Sequence, residues 1–573
     1  MQTATGLCLA IACAMGITAT HSMAESQILE EIIVTAQRRA QAENTVGIAM
    51  TVFGDEAIDE LRIENSLDVS MYTPGFTITN AGGASVPVYT LRGVGFDDHQ
   101  PNSSATVGVY SDEVALPYPI MTMGLRHDLE RIEVLKGPQG DLYGRNNTGG
   151  ALNYISNGPT DIASAGISLG AANYQTLDVN GFANGPLGDR VNGRLAGAAK
   201  SRNKGWQENE LTDQAVGAYD EYSLRGMLDI TASDTVDIFV NLHGGRYKGD
   251  PQVPQSTVVL PSSNQTAAFL NSIGLYPIAS LDPLMVADQD DPQATRWNQD
   301  PYHKTTHVGG SVIVDWKIGD AKLTSITGYD EFERDVNLDW DGTPARLLEV
   351  SAETQIDSFT QEVRFASDDQ GPLTWLGGLY FSKDTVNDSS AYDDSESPTV
   401  GFTFGSQADQ STEAAAAFGH TQWQFARQFK LNLGARYTSE TRSIENCTTD
   451  TGDGTAAGAL MTFQALGMLT LTNPQALVPG GCVHLKAQER AAIHRPPMSV
   501  CRACTQIRSK PTKSPARWAW TGSPATTGSS TAASAAVSNP AVTTCSRHSW
   551  WTSSSLTKKK SSPLSKSDSK GTC

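Results

Sequence analysis

From residue 166 onward the chain alternates between apolar and polar positions. Tyr222, Leu224, Gly226, Leu228 and Ile230 fall on one face of an extended segment, and Glu221, Ser223, Arg225, Met227 and Asp229 fall on the other. That is the period-two signature of a half-buried strand. After Ala232-Ser233-Asp234 the alternation resumes, with Val236, Ile238, Val240 and Leu242 against Asp237, Phe239, Asn241 and His243, which predicts an up-and-down hairpin. The unit recurs: 308–316 turns through Gly319-Asp320 into 323–329, 359–365 turns through 368–372 into 373–381, and 415–423 is followed by 430–438. Most of these segments are about nine to eleven residues long, the length a tilted strand needs to cross a bilayer.

The connections sort by length. Short turns at 186–189, 232–234 and 318–321 contrast with long polar stretches at 249–302, at 383–410 and beyond 440. Short turns on one side and long loops on the other are the signature of an outer-membrane barrel, whereas a soluble sandwich has no reason to segregate its loops. Trp316, Tyr329, Trp375, Tyr380 and Tyr437 stand near strand ends, where an aromatic girdle would lie; taken singly, core packing explains each of them equally well.

Composition narrows the class. The chain has 573 residues, enough for several ordinary domains or for one large barrel with a small domain attached. Its 42 Lys and Arg against 62 Asp and Glu give a net charge of −20, which argues against a nucleic-acid binder, because phosphate contacts need a basic surface. Helical membrane spans are not expected, since no apolar run of about 18 residues follows the N-terminus; barrel strands, only half apolar, escape such a test. An apolar stretch over 6–17 and the small-residue site Ser22-Met23-Ala24 read as a secretory signal peptide over 1–24. The alternative is a plain apolar tail, because the segment before residue 6 lacks Lys and Arg. In an exported chain, Cys447 and Cys482, which bracket a Gly/Thr/Ala-rich segment, can close a disulfide loop.

Ahead of the alternating region, residues 128–159 read DLERIEVLKGPQGDLYGRNNTGGALNYISNGP. Ile132, Val134 and Leu135 precede Gly137-Pro138, the punctuation that ends a strand, and Gly140, Gly144, Gly149 and Gly150 permit positive φ in a tightly folded segment. A phosphate-binding loop is not expected here, because Gly144 is followed by Arg145-Asn146 rather than by Lys-Ser/Thr. No GxSxG nucleophile, HExxH site or paired acid and base stands in this part of the chain, so neither an enzyme nor catalytic residues are expected. No resident metal or cofactor is expected either.

Together with EEIIVTAQRR at 30–39, residues 128–159 resemble the plug domain of TonB-dependent outer-membrane receptors. The resemblance extends over residues 29–482, strongest in the plug. It implies a small mixed α/β plug followed by a transmembrane antiparallel β-barrel of the 22-stranded, plugged class, here incomplete. The expected division is a signal peptide over 1–24, a TonB-box segment and linker over 25–44, a plug over 45–160, a partial barrel over 165–482 and a disordered tail over 483–573. Glu30, Glu31, Ile32, Ile33, Val34, Thr35 and Ala36 resemble the TonB box, which an energy-coupling protein captures by strand addition. LRGVG at 91–95 and YGR at 143–145 resemble plug motifs whose charged residues lock the plug to carboxylates on the barrel wall. That assigns Arg92, Glu133 and Arg145 to locking, with the wall partners expected late in the barrel. Asp98, His99 and Tyr118 are the ligand-contact candidates, in outward loops at 79–84, 96–102 and 117–123.

The resemblance also accounts for the end of the chain. Residues 483–573 hold 14 Lys and Arg against 2 Asp and Glu, opposite in sign to the rest. A basic arm, or zinc held by Cys501, Cys504, His484 and His494, are alternative readings. However, STAASAAVSNPAVTT at 530–544 is what DNA encoding LYGSVSRGFKSGGYN gives when read one base later with permitted codons, and that phrase is typical of the later barrel in this family. KKKSS at 558–562 is likewise a shifted reading of EEEVI. A frameshift between 482 and 518 is therefore expected. The function implied is energy-coupled uptake of a scarce solute, most often a ferric siderophore, by a monomer in the cell outer membrane. Its partners would be a TonB-type protein, the solute and lipid, with no nucleic acid. An exported β-rich binding or adhesion protein without transport is the alternative, and the sequence does not name the solute.

Overall fold

The computed structural model describes residues 33–80, 86–124, 126–256, 287–288, 290–367, 371–397, 401–426, 429–452 and 454–465, with strand residues 470–471, 482–483, 485–486 and 517–522. The signal-peptide segment, residues 30–32 of the TonB-box-like run and the frame-shifted phrases at 530–544 and 558–562 lie outside them.

The N-terminal part is a mixed α/β unit. β1 (Ile33–Val34) and β2 (Gln41–Ala42) form a short antiparallel pair. β3 (Met50–Gly54) leads into α1 (Asp55–Leu61), which stops where Arg62 turns left-handed, φ 52°. α2 (Ser66–Tyr72) begins with a capping box: the Asn65 side chain accepts from the Leu67 and Asp68 amides, and the Asp68 carboxylate accepts from the Asn65 amide, satisfying donors that a helix start leaves open. β4 (Phe76–Thr79) pairs with β5 (Val88–Leu91). β6 (Val107–Ser111), β7 (Val114–Leu116), β8 (Leu129–Lys136) and β9 (Gly150–Ser156) complete a five-stranded sheet in the order β3-β8-β9-β6-β7. Of the four glycines singled out above, Gly144 and Gly150 have positive φ. At Gly150 a Cβ would come 2.2 Å from the Leu135 carbonyl oxygen, so no other residue fits between β8 and β9.

The second part is a single antiparallel wall. β10 (Ser164–Ala172), β11 (Thr176–Gly188) and β12 (Val191–Arg202) are followed by an excursion with β13 (Gln207–Asn209) and β14 (Ala215–Val216). β15 (Tyr219–Ser233) and β16 (Val236–Gly249) come next, and β17 (Ala294–Thr295) pairs in parallel with β13. Then follow β18 (Tyr302–Ile318), β19 (Ala321–Asp339), β20 (Glu349–Ser367), β21 (Leu373–Asp393), β22 (Thr403–Ala426) and β23 (Phe429–Thr449). The eleven long strands pair in chain order from β10 to β23. α3 (Thr455–Ala465) and short strands β24 (Thr470–Leu471), β25 (Cys482–Val483), β26 (Leu485–Lys486) and β27 (Arg517–Gly522) come last, β25 and β27 both pairing with β23. β27 is thus a paired segment within the stretch expected to be a disordered tail.

The wall bends around the plug, since its inward side chains Phe332, Ile356 and Val386 share one core with Phe53, Val69, Leu91, Ile132, Leu152 and Tyr154 of the plug. Outward, Val308, Val312, Leu379 and Leu195 are exposed, which only a lipid environment makes favourable over so wide a face. Trp316, Phe365, Trp375 and Trp423 mark the short-turn edge of this band, and Tyr329, Phe359, Phe381 and Tyr437 its other edge. Phe365 and Phe359 are six residues apart, roughly 20 Å along a strand. Tyr380 departs from the expected girdle: it packs inward against the plug.

The strands are also longer than expected. β19 has 19 residues and β22 has 24, and the polar stretch at 383–410 is largely strand, with β21 reaching Asp393 and β22 starting at Thr403. Past Tyr329 and Phe381 the outward positions become Glu331, Glu333 and Asp335, or Lys383, Asn387 and Ser389, while inward positions such as Phe332, Val336 and Val386 stay buried. The sheet therefore continues into water beyond the apolar band.

Candidate functional site

The TonB-box-like segment is folded back under the plug. The Arg38 amide donates to the Thr35 carbonyl at 2.8 Å, and Arg38 has φ 59°, which closes the turn between β1 and β2. Val34 and Ala36 have no exposure; they share a cluster with Leu135, Leu142, Tyr143 and Ala151 of the plug and with Leu376 and Phe418 of the wall. Between them, the Thr35 amide and hydroxyl donate to Glu133 Oε1 at 2.8 and 3.3 Å. Glu133 is fully buried on β8 and also accepts from Arg131 Nε at 2.9 Å and Asn153 Nδ2 at 3.3 Å. The expected locking role of Glu133 is corrected by these contacts. Its carboxylate is spent inside the plug, tethering the N-terminal segment instead of the wall.

The plug–wall contacts lie elsewhere. Arg145, on the Gly-rich turn after β8, pairs with Asp384 on β21, whose other oxygen accepts from Ser358 Oγ at 2.9 Å. The partner is therefore mid-wall, not late in the barrel as expected. Arg92 does not reach the wall: it is exposed, and its guanidinium donates to the Lys136 carbonyl at 3.3 Å within the plug. The sequence reading missed the other bridges, Glu113 to Arg364, Asp128 to Arg194 and Glu64 to Lys200, with Asn241 donating to Asp112 at 2.9 Å. Arg38 joins the first of these at 3.4 Å from Glu113. Burial alone would raise the Glu113 carboxyl, but Arg364 and Arg38 outweigh it and hold it down at about 2. The available signal was the charge on lumen-side positions of alternating strands, where Arg364 stands between the outward Val363 and Phe365 and Asp384 continues the inward phase of Tyr380 and Ser382. Such charges, once buried, need partners.

The ligand candidates divide. His99 is half-buried, with Nδ1 2.8 Å from the Val86 carbonyl and Nε2 3.3 Å from Asp97, and Asp98 caps the Gln100 amide at 3.1 Å. Tyr118 is buried at 1% exposure, its hydroxyl accepting from Gln410 Nε2 at 3.2 Å, so the expected ligand contact is corrected to a plug–wall contact. The loop around it is tucked in as well, since Pro119–Thr122 form a buried 3-10 turn. Among the described residues, two side-chain groups have metal-ligating composition: His243, His307 and Asp330 on the inner wall, with both imidazole Nε2 atoms near Asp330 Oδ1 at 3.0 and 2.9 Å, and Asp339, Asp341 and Glu349 at the outer end of β19 and β20. Cys447 is disulfide-bonded, and the Cys482 backbone pairs with Thr449.

Comparison with known proteins agrees with this architecture. Residues 42–151 match the family described as TonB-dependent Receptor Plug Domain. The pesticin receptor of Yersinia enterocolitica is 22% identical over 75% of this chain and 61% of its own length, and the vitamin B12 transporter of Vibrio vulnificus is 31% identical over 28% of this chain and 27% of its own. Among solved structures, the ferric yersiniabactin uptake receptor of Yersinia pestis superposes with a TM-score of 0.58 at 19% identity, covering 70% of this chain and 58% of that one. The chain spans less than two thirds of the length of these relatives. The match over the N-terminal unit makes residues 42–151 a plug domain of the TonB-dependent receptor family, and the wall of membrane-type strands wrapped around it shares the fold of solved outer-membrane receptors.

Proposed function

We propose that this chain serves energy-coupled uptake of a ferric siderophore, with a TonB-type protein drawing on the segment at 30–36. The observation that carries the reading is the stowage of Val34, Thr35 and Ala36 against β8 and the wall, held by two hydrogen bonds to Glu133. A strand-adding partner needs free backbone donors and acceptors, so the segment must leave Glu133 to be captured. Because Glu133 lies on β8, an interior strand of the plug sheet, force on the segment enters the plug directly. Arg145 with Asp384, and Glu113 with Arg364, are the plug–wall locks that such force would release.

The iron-chelate reading rests on relatives named for that cargo. They include the ferric-pyoverdine 358 receptor of Pseudomonas putida, 25% identical over 54% of this chain and 34% of its own length. In cells expressing the chain with its reading frame restored after residue 482, Val34→Pro removes a backbone donor from the strand to be captured. Energy-dependent accumulation of a ferric chelate is expected to fall to background while surface binding of the chelate persists. Uptake at the unmodified rate would refute the coupling role.

A further inference from the structure

At the outer end of the β19–β20 hairpin, well past the aromatic edge at Tyr329, three carboxylates converge. Asp339 and Glu349 face each other directly as the last register pair of the two strands, and like charges in that position destabilise a sheet. Both are buried to 2% exposure, and with Asp341 their ligand oxygens all lie within 4.8 Å of one another. No Lys or Arg among the described residues pairs with any of the three; the nearby Arg346 is turned to Asp393 and Glu396. Asp339 accepts from the Gly342 amide at 2.7 Å and the Asn298 amide at 3.1 Å, and Asp341 accepts from the Thr343, Leu347 and Leu348 amides.

Glu349 is the residue that demands an explanation. Neither of its carboxylate oxygens, both sealed from solvent, meets a hydrogen-bond donor at ordinary geometry, the Asn298 side chain being the donor that approaches them, although an unsatisfied buried charge is among the costliest features a fold can hold. Asp394, 5% exposed, adds another buried oxygen without a partner.

We propose that Asp339, Asp341 and Glu349 form a calcium site at the tip of the β19–β20 hairpin. An all-oxygen donor set of several carboxylates suits calcium, which takes six to eight oxygen ligands, better than magnesium, which keeps most of its water. The site ties together separate outer segments. The Asn298 amide brings in the return from the 250–298 excursion, and Arg346 links the hairpin to Glu396 after β21. Calcium here orders the rim through which a solute enters, whatever that solute is.

The test uses the full chain folded in detergent, with terbium as the probe, excited through Trp340, which lies between two of the ligands in sequence. Terbium emission is expected, with displacement by calcium at about 10⁻⁵–10⁻³ M and not by magnesium at equal concentration. Glu349→Gln is expected to weaken calcium displacement on the order of tenfold or more. The same substitution is expected to raise the unfolding midpoint in chelator, because it removes one of two opposed charges. Asp341→Asn provides a second affinity measurement, and Asp409→Asn, on the exposed wall, is expected to change nothing. Absence of calcium-displaced emission, equal displacement by magnesium, or unaltered affinity in both Glu349→Gln and Asp341→Asn would overturn the proposal.

Discussion

Glu113, half-buried between plug and wall, shows what one pairing contributes to the docking of the plug. Its carboxyl is held at about 2 by Arg364 and Arg38 against the ordinary value of 4.5. A depressed pKa contributes stability that is fully present above the ordinary value and lost as pH falls through the folded one. The unfolding midpoint of the chain in detergent is therefore expected to exceed that of Glu113→Gln by a constant margin between pH 7 and 5. The margin is expected to shrink to nothing between about pH 4.5 and about pH 2. A margin that persists at the acid end would remove Glu113 from the docking account. Little of this was legible in the sequence. Alternation identifies Arg364 and Asp384 as facing the lumen, but it does not say which plug residue, more than two hundred positions away, meets each of them. Tyr118 was misread for a related reason: the resemblance put 117–123 in an outward loop, yet Pro119–Thr122 fold into a buried turn.

At the scale of elements, period two was enough to locate the strands, because Val308, Val312 and Trp316 are exposed on one side of β18 while Ser311 is buried on the other. The same rule failed above the apolar band. There the outward residues are Glu333, Asp335, Gln355 and Asn387, and a strand polar outside and mixed inside has no hydropathy contrast to reveal it. The division between lipid-facing and water-facing strand is testable. Val312→Arg, within the band, is expected to cost about 2–4 kcal/mol of folding free energy in lipid vesicles. Gln355→Arg, on the outward face above the band, is expected to stay within about 0.5 kcal/mol of the parent. Equal effects at the two positions would place the bilayer boundary elsewhere.

Across the whole molecule, the plug is held by the wall through ion pairs and polar contacts spread from β12 to β23, and the N-terminal segment is held by the plug through Glu133. Tether and locks thus form a series: segment to β8, plug to wall. The family of the plug was legible from its glycine turns and the EEIIVTAQRR run, but the tether was not, since nothing in the spacing of Thr35 and Glu133 brings them together. The most direct measurement is the affinity of the C-terminal domain of a TonB-type protein for the full chain in detergent, by titration calorimetry. Glu133→Gln weakens the tether while Arg131 keeps Glu130 as a partner, so it is expected to raise that affinity on the order of tenfold by populating the released segment, and Val34→Pro is expected to abolish binding. Affinity unchanged by Glu133→Gln, or retained in Val34→Pro, would contradict the account.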